Sequence, residues 1–138
     1  KMETVLDSPA ISKNQQNNQF SGLYAEFVVD EQTIVQCTSS NGHKSFYLLC
    51  LIGKIKAENL PELNVKITES KEHGPLYVNK GKNSFFIYNN GAVRKIMDAL
   101  SINLTNELVG KILKVYNNEK GFWVIDINSL NHVKSKNI

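Results

Sequence analysis

The chain lacks the residue groupings on which common catalytic sites are built. It contains no GxSxG elbow, no GxxxxGK[ST] loop and no GxGxxG fingerprint, so the usual serine-hydrolase, NTPase and dinucleotide signatures are missing. The three histidines, His43, His73 and His132, stand far apart, which argues against a histidine-bound zinc. Cysteine is scarce. Cys37 and Cys50 sit inside apolar runs that read as strands, so buried reduced thiols are expected rather than a disulfide. No apolar run approaches the roughly 18 residues needed to cross a bilayer; the longest, Phe46 to Ile52, is strand-sized. The first twenty residues contain no apolar core of a secretory leader. These absences lead to the expectation of a cytoplasmic chain with no membrane contact, no cofactor, no metal and no enzymatic activity.

What remains is an ordinary globular composition. With 138 residues, 41% of them apolar and 21% charged, the chain suffices for one domain with its own core. Residues 1–19 are polar and lack apolar periodicity, so they are expected to form a flexible tail. A single domain is expected over 20–130, followed by a polar, basic tail over 131–138.

Within that domain the pattern is mostly β. Residues 23–29 and 33–38 are rich in β-branched and aromatic side chains, and Asp30-Glu31-Gln32 between them suggests a hairpin turn. Asn41-Gly42 is a strong turn signal, and 46–56 reads as one long strand with a bend at Gly53. Shorter strands are expected over 64–68, 76–79 and 85–88. Ala92, Val93, Ile96, Met97 and Leu100 then repeat at helical spacing, with Asn89 or Asn90 as the capping residue. A short turn from Thr105 to Gly110 precedes strands over 111–116 and 122–127, joined by the hairpin loop Asn117-Asn118-Glu119-Lys120-Gly121. Several strands, then a helix, then a closing hairpin is the order of a small OB-type β-barrel. The expected fold is therefore mainly β, a β-barrel with one amphipathic helix before its last hairpin.

Charge and aromatic residues are unevenly distributed. Residues 1–72 hold seven Lys against nine Asp or Glu, a net −2; residues 73–138 hold nine Lys or Arg against four, a net +5. Such asymmetry suits a polyanion-binding face. Rings fall beside lysines along the chain, and an exposed ring stacks on any base while an ammonium neutralises phosphate. Strand alternation restricts which rings face outwards. Trp123 shares a face with Ile125 and Ile127 and is expected in the core, whereas Tyr116 shares one with Ile112 and Lys114.

This order of strands, helix and hairpin, with its rings and lysines, resembles OB-fold single-stranded-DNA-binding proteins. More locally, Tyr88-Asn89-Asn90-Gly91-Ala92, the helix after it, and Leu108-Val109-Gly110-Lys111 look like a pattern in small phage-encoded DNA-binding proteins. There an Asn-containing cap and Ala open a helix, and Trp-Ile-Gly-Lys leads into an apolar strand. Leu108 stands where that Trp would be, and Ser101 where the helix commonly ends in Gly. The likeness covers about forty residues, and it implies DNA handling in replication or recombination, in a virus or mobile element.

The leading expectation is a sequence-tolerant binder of single-stranded DNA. Tyr47, Tyr88 and Tyr116, with Phe86, would stack on bases. Lys44, Lys54, Lys56, Lys80, Lys82, Lys111 and Lys114 would contact phosphates, with Lys80-Gly81-Lys82 acting as a clamp. RNA is left open, because the 2′-OH is read by local geometry. The rival is a protein-interaction module, self-associating or inhibiting a host enzyme. A third, weaker reading is a Mg²⁺ nuclease using Glu69 and Lys71 with Asp30, Glu58 or Glu62 as partner.

Overall fold

A computed structural model describes residues 20–130; the two expected tails lie outside the described residues. Nine strands follow in chain order: β1 (Tyr24–Thr38), β2 (Ser45–Lys56), β3 (Leu63–Ile67), β4 (Glu69–Ser70), β5 (Gly74–Pro75), β6 (Tyr77–Lys80), β7 (Phe85–Ile87), β8 (Ile112–Asn117) and β9 (Trp123–Ile125). Helix α1 (Ala92–Leu100) and a 3₁₀ turn (Thr105–Leu108) stand between β7 and β8. A last helical turn begins at 127. The expectation of a mainly β chain with a helix before its final hairpin is met.

The strands form one open, mixed sheet in the order β5-β4-β9-β8-β1-β2-β6-β7, with β3 also paired to β2. The β4–β9 pair is parallel, Ser70 opposite Ile125; the neighbouring β8–β9 and β1–β8 pairs are antiparallel. The spine is the β1–β2 hairpin, which runs from Glu26 opposite Lys56 to Thr38 opposite Ser45.

One expectation is overturned here. Asp30-Glu31-Gln32 does not turn the chain: β1 is a single strand of 15 residues. Its register with β2 shifts between Val29 and Glu31, so Asp30 is the extra residue of a bulge. The acidic triplet reads as a turn by composition, yet Asp30 stays in the strand as a bulge residue, its carboxylate meeting the Lys54 ammonium at 3.1 Å. The bend expected at Gly53 lies opposite this bulge, facing Val29. A Cβ on Gly53 would collide with the Val28 carbonyl, so only glycine lets the two backbones approach so closely.

The main core lies on one face of the spine. Phe27, Leu51, Ile55, Ile67, Leu113 and Ile125 are essentially inaccessible there, and α1 adds Ala92, Val93, Ile96, Met97 and Ala99. Trp123 joins this core, as its alternation indicated. A smaller cluster, Val35, Leu48 and Cys50, is buried on the opposite face of the hairpin, with Cys37, Phe46 and Ile52 packed against it. Leu48 to Leu51 are thus buried on both faces, which is why that run is apolar without alternation. Both cysteines are free thiols.

The helix starts later than the asparagines predicted. Its N-cap is Gly91, which makes no side-chain cap bond, while Asn89 and Asn90 occupy a turn closed by the Gly91 N–H donating to the Tyr88 carbonyl at 3.2 Å. Ser101 ends the helix in the left-handed conformation, φ 58°, taking the role a glycine more often fills. Glu107 caps the following turn, its carboxylate accepting from the N–H groups of Asn103 (2.8 Å) and Leu104 (3.1 Å). Those bonds hold its carboxyl below the ordinary glutamate range.

Candidate nucleic-acid interface

Directly opposed residues of paired strands share a face, and so do residues two apart on one strand. The face of β2 opposite the main core therefore carries Lys56, Lys54, Ile52, Cys50, Leu48 and Phe46 in order. Cross-strand registers extend this outer face sideways. Tyr24 lies opposite Tyr116, Glu26 opposite both Lys56 and Lys114, and Val28 opposite Lys54 and Ile112. Lys66 of β3 lies opposite Ile52. Beyond, Tyr77 lies opposite Leu48, and Phe86 opposite Asn79.

One end of this face is a ring pair closed by a cation. The Tyr24 and Tyr116 centroids are 4.8 Å apart at 46°. The Lys71 Nζ sits 5.3 Å and 4.8 Å from their centroids and donates to Tyr24 Oη at 3.0 Å. The parallel β4–β9 pairing brings Lys71 here, its N–H donating to the Ile125 carbonyl at 2.7 Å. The Tyr24 hydroxyl, and then the carboxylates of Asp126 and Glu72, raise its pKa above the ordinary lysine value, so Lys71 is a cation at any physiological pH.

The other end is an aromatic edge. Phe46 meets Tyr77 edge-on at 5.7 Å, and Tyr77, Phe86 and Tyr88 are 43%, 55% and 46% exposed. From Phe46 to Lys56 the path along β2 is ten residue steps, about 33 Å. Lysines occupy the half nearer Tyr24, and the buried cluster of Val35, Leu48 and Cys50 lies towards Phe46.

The structure brings together six of the eleven expected residues: Lys54, Lys56, Lys114 and Tyr116 at one end, Phe86 and Tyr88 at the other. Tyr47 is placed differently. It is half-buried, packs against the main core and meets Phe85 edge-on at 5.4 Å, because it lies opposite Val78 on the core side of the β2–β6 pair. Lys80 shares that side, its Nζ 5.8 Å from the Phe85 ring. Lys44 lies in the β1–β2 turn, Lys82 in the β6–β7 turn, and Lys111 just before β8; all three are exposed. Tyr24, Phe46, Lys66, Lys71 and Tyr77 belong to the face but were not among the residues expected to contact DNA; Lys71 was named only for the nuclease reading. Period-two alternation with Ala25 and Phe27 could have found Tyr24. Nothing local marks Lys71 for this face.

Carboxylates already hold two of the lysines. Lys54 pairs with Asp30 at 3.1 Å, and Lys56 with Glu62 at 3.5 Å. The same pairs engage Asp30 and Glu62, two of the three alternative partners that the nuclease reading offered for Glu69, and no cluster of three or more His, Cys, Asp or Glu suited to a metal occurs among the described residues. No helix among the described residues is long and apolar enough to cross a membrane. Comparison with family models, curated proteins and solved structures gives no match.

Proposed function

We propose that this chain binds single-stranded DNA in a sequence-tolerant way, laying the strand along the outer face of β2 on an OB-like barrel. The observation that carries the reading is the composition of that one face: paired tyrosines under a lysine at one end, Lys114, Lys56, Lys54 and Lys66 in adjacent rows, and exposed rings at the far end. Rings spaced along a basic track suit unpaired bases, each stacking contact being worth about 1–3 kcal/mol. Duplex hides its bases' faces and would leave the rings idle.

Support for a barrel comes from the pairing circuit. It runs β1-β2-β3, then β4-β9-β8 and back to β1, and Thr68 alone separates β3 from β4. Treated as one bent strand, β3–β4 completes a five-strand cycle.

Anisotropy titration with a labelled oligo-dT at two salt concentrations tests the function. Binding that weakens as salt rises is expected; no binding at low salt rejects it. A protein-docking role is the second reading, favoured by Leu104, Val109 and Ile112, which are 59%, 45% and 57% exposed within nine residues. Light scattering that shows a stable oligomer indifferent to DNA would favour it.

A further inference from the structure

Strand β1 is flanked on both sides only along its first half. β8 pairs with Tyr24 to Val28, and the Val29 N–H and C=O close that ladder against Lys111 and Gly110. From Glu31 to Thr38 the strand has β2 on one side and, among the described residues, no strand on the other. The terminal strands of the sheet, β5 and β7, are only two and three residues long. Proteins guard open edges with charges, prolines or very short strands. The stretch Gln32-Thr33-Ile34-Val35-Gln36-Cys37-Thr38 has no charge and no proline, so this edge is unguarded.

The ladder shows which backbone groups the edge offers. In an antiparallel pair, residues that exchange both bonds alternate with residues whose groups point the other way. Leu49, opposite Ile34, donates its N–H to the Leu76 carbonyl on the far side of β2. The Ile34–Leu49 pair therefore exchanges no bonds. By the period of two, the N–H and C=O groups of Ile34, Gln36 and Thr38 all point away from β2 into the open edge. Gln32 is tied to Thr105 of the 3₁₀ turn at 3.4 Å, which leaves those three residues as the pairing set.

We infer that this edge pairs with the same edge of a second copy, antiparallel about a two-fold axis at Gln36, so that two sheets continue as one. In that register Gln36 faces its own copy, and Ile34 of each chain faces Thr38 of the other. Two backbone bonds in each of these three pairs satisfy every outward group of the set. Side chains agree with the register. Val35 and Cys37, both of the small outer cluster, face one another across the axis and extend that cluster. The two Gln36 amides each offer a donor to the other's acceptor. The turn of one copy, carrying Lys44, comes alongside Glu31 of the other, both exposed, and no like charges are opposed. The contact is small beside a standard interface of about 1,600 Å², so the dimer is weak and concentration-dependent.

Sedimentation velocity without DNA, over a concentration series, tests the inference. Wild type should show a monomer–dimer equilibrium with Kd between about 10 μM and about 1 mM. Gln36→Pro should weaken it about tenfold or more, because the lost N–H points away from β2 and the β1–β2 ladder keeps its bonds. Gln36→Lys and Gln36→Glu each set like charges face to face and should each weaken self-association up to about fivefold, while an equimolar mixture of the two should associate at least as tightly as wild type. Thermal melts verify the fold of each variant, and if the proline variant fails to fold the charge pair decides alone. Wild type that remains monomeric at the top of the series overturns the inference. So does a dimer indifferent to the substitutions at Gln36, or a Lys and Glu mixture no tighter than its components. The single-strand reading is untouched by any of these results.

Discussion

Removing the carboxylates that hold Lys54 and Lys56 should strengthen DNA binding at a modest cost in stability. In the folded chain Asp30 and Glu62 occupy the two ammonium groups at 3.1 Å and 3.5 Å. All four side chains are between 41% and 56% exposed, so each pair contributes at most about 1 kcal/mol to folding. The double variant Asp30→Asn/Glu62→Gln keeps side-chain size and one acceptor oxygen on each side chain while removing the charge. Its stability should therefore fall by no more than about 2 kcal/mol for the two pairs together. Binding responds in the opposite sense. A carboxylate about 6 Å from a phosphate in water is repelled by about 0.7 kcal/mol, so removing two of them favours the complex by about 1.4 kcal/mol, a factor of about ten at low salt. Screening shrinks this gain as salt rises. Two newly available lysines should also steepen the slope of log K against log salt by about 0.7 each. Anisotropy titration with oligo-dT at four salt concentrations reads both quantities. Unchanged affinity and slope, or weaker binding at every salt concentration, would refute the placement of the strand over these lysines.

Other consequences follow from packing and titration. Leu51→Ala should cost about 3–4 kcal/mol in urea unfolding, since Leu51 is 0% exposed at the centre of the main core; Leu104→Ala, at 59% exposure, should stay within about 0.5 kcal/mol. Ser101→Gly should stabilise by about 0.5–1 kcal/mol by relieving the left-handed backbone at φ 58°, read as a rise in Tm. Burial pushes the Cys50 thiol up to about 11, leaving about 0.1% thiolate at pH 8, so it should resist alkylation in the native protein and react once denatured. For Asp126, burial raises the pKa, but the Ser129 hydroxyl at 2.6 Å, hydrogen bonding with Glu72 and the Ser129 N–H outweigh it and leave the carboxyl below the ordinary aspartate value. Its contribution to stability is thus present above that ordinary value and is lost as pH falls through the lowered one. Asp126→Asn should destabilise at pH 7 and approach wild type in acid, as measured by chemical denaturation across pH.

Much of the fold was legible because local patterns and tertiary packing agree. Helix α1 carries its apolar residues at helical spacing and buries that same stripe. The 46–56 run is one strand, and Trp123 lies in the core. The hairpin expected at Asp30 failed because composition cannot distinguish a turn from a bulge whose charge finds a partner 24 residues away. The helix cap moved from the asparagines to Gly91 because the Tyr88–Gly91 turn consumes the preceding residues. The site was half legible. Lys114 and Tyr116 follow from alternation within β8. Tyr47 was misplaced because strand 46–52 is apolar on both faces, so its period carries no direction. Lys71 was legible only as a nuclease candidate, and its place on this face was not, since only the parallel contact of β4 with β9 brings it over Tyr24 and Tyr116.

Amide chemical-shift mapping with unlabelled oligo-dT tests the central assignment of the interface most directly. Shifts should concentrate at Tyr24, Lys54, Lys56, Lys71, Lys114 and Tyr116, and again at Phe46, Tyr77, Phe86 and Tyr88. Shifts confined to α1 and residues 104–112, or none at saturating oligomer, would contradict it.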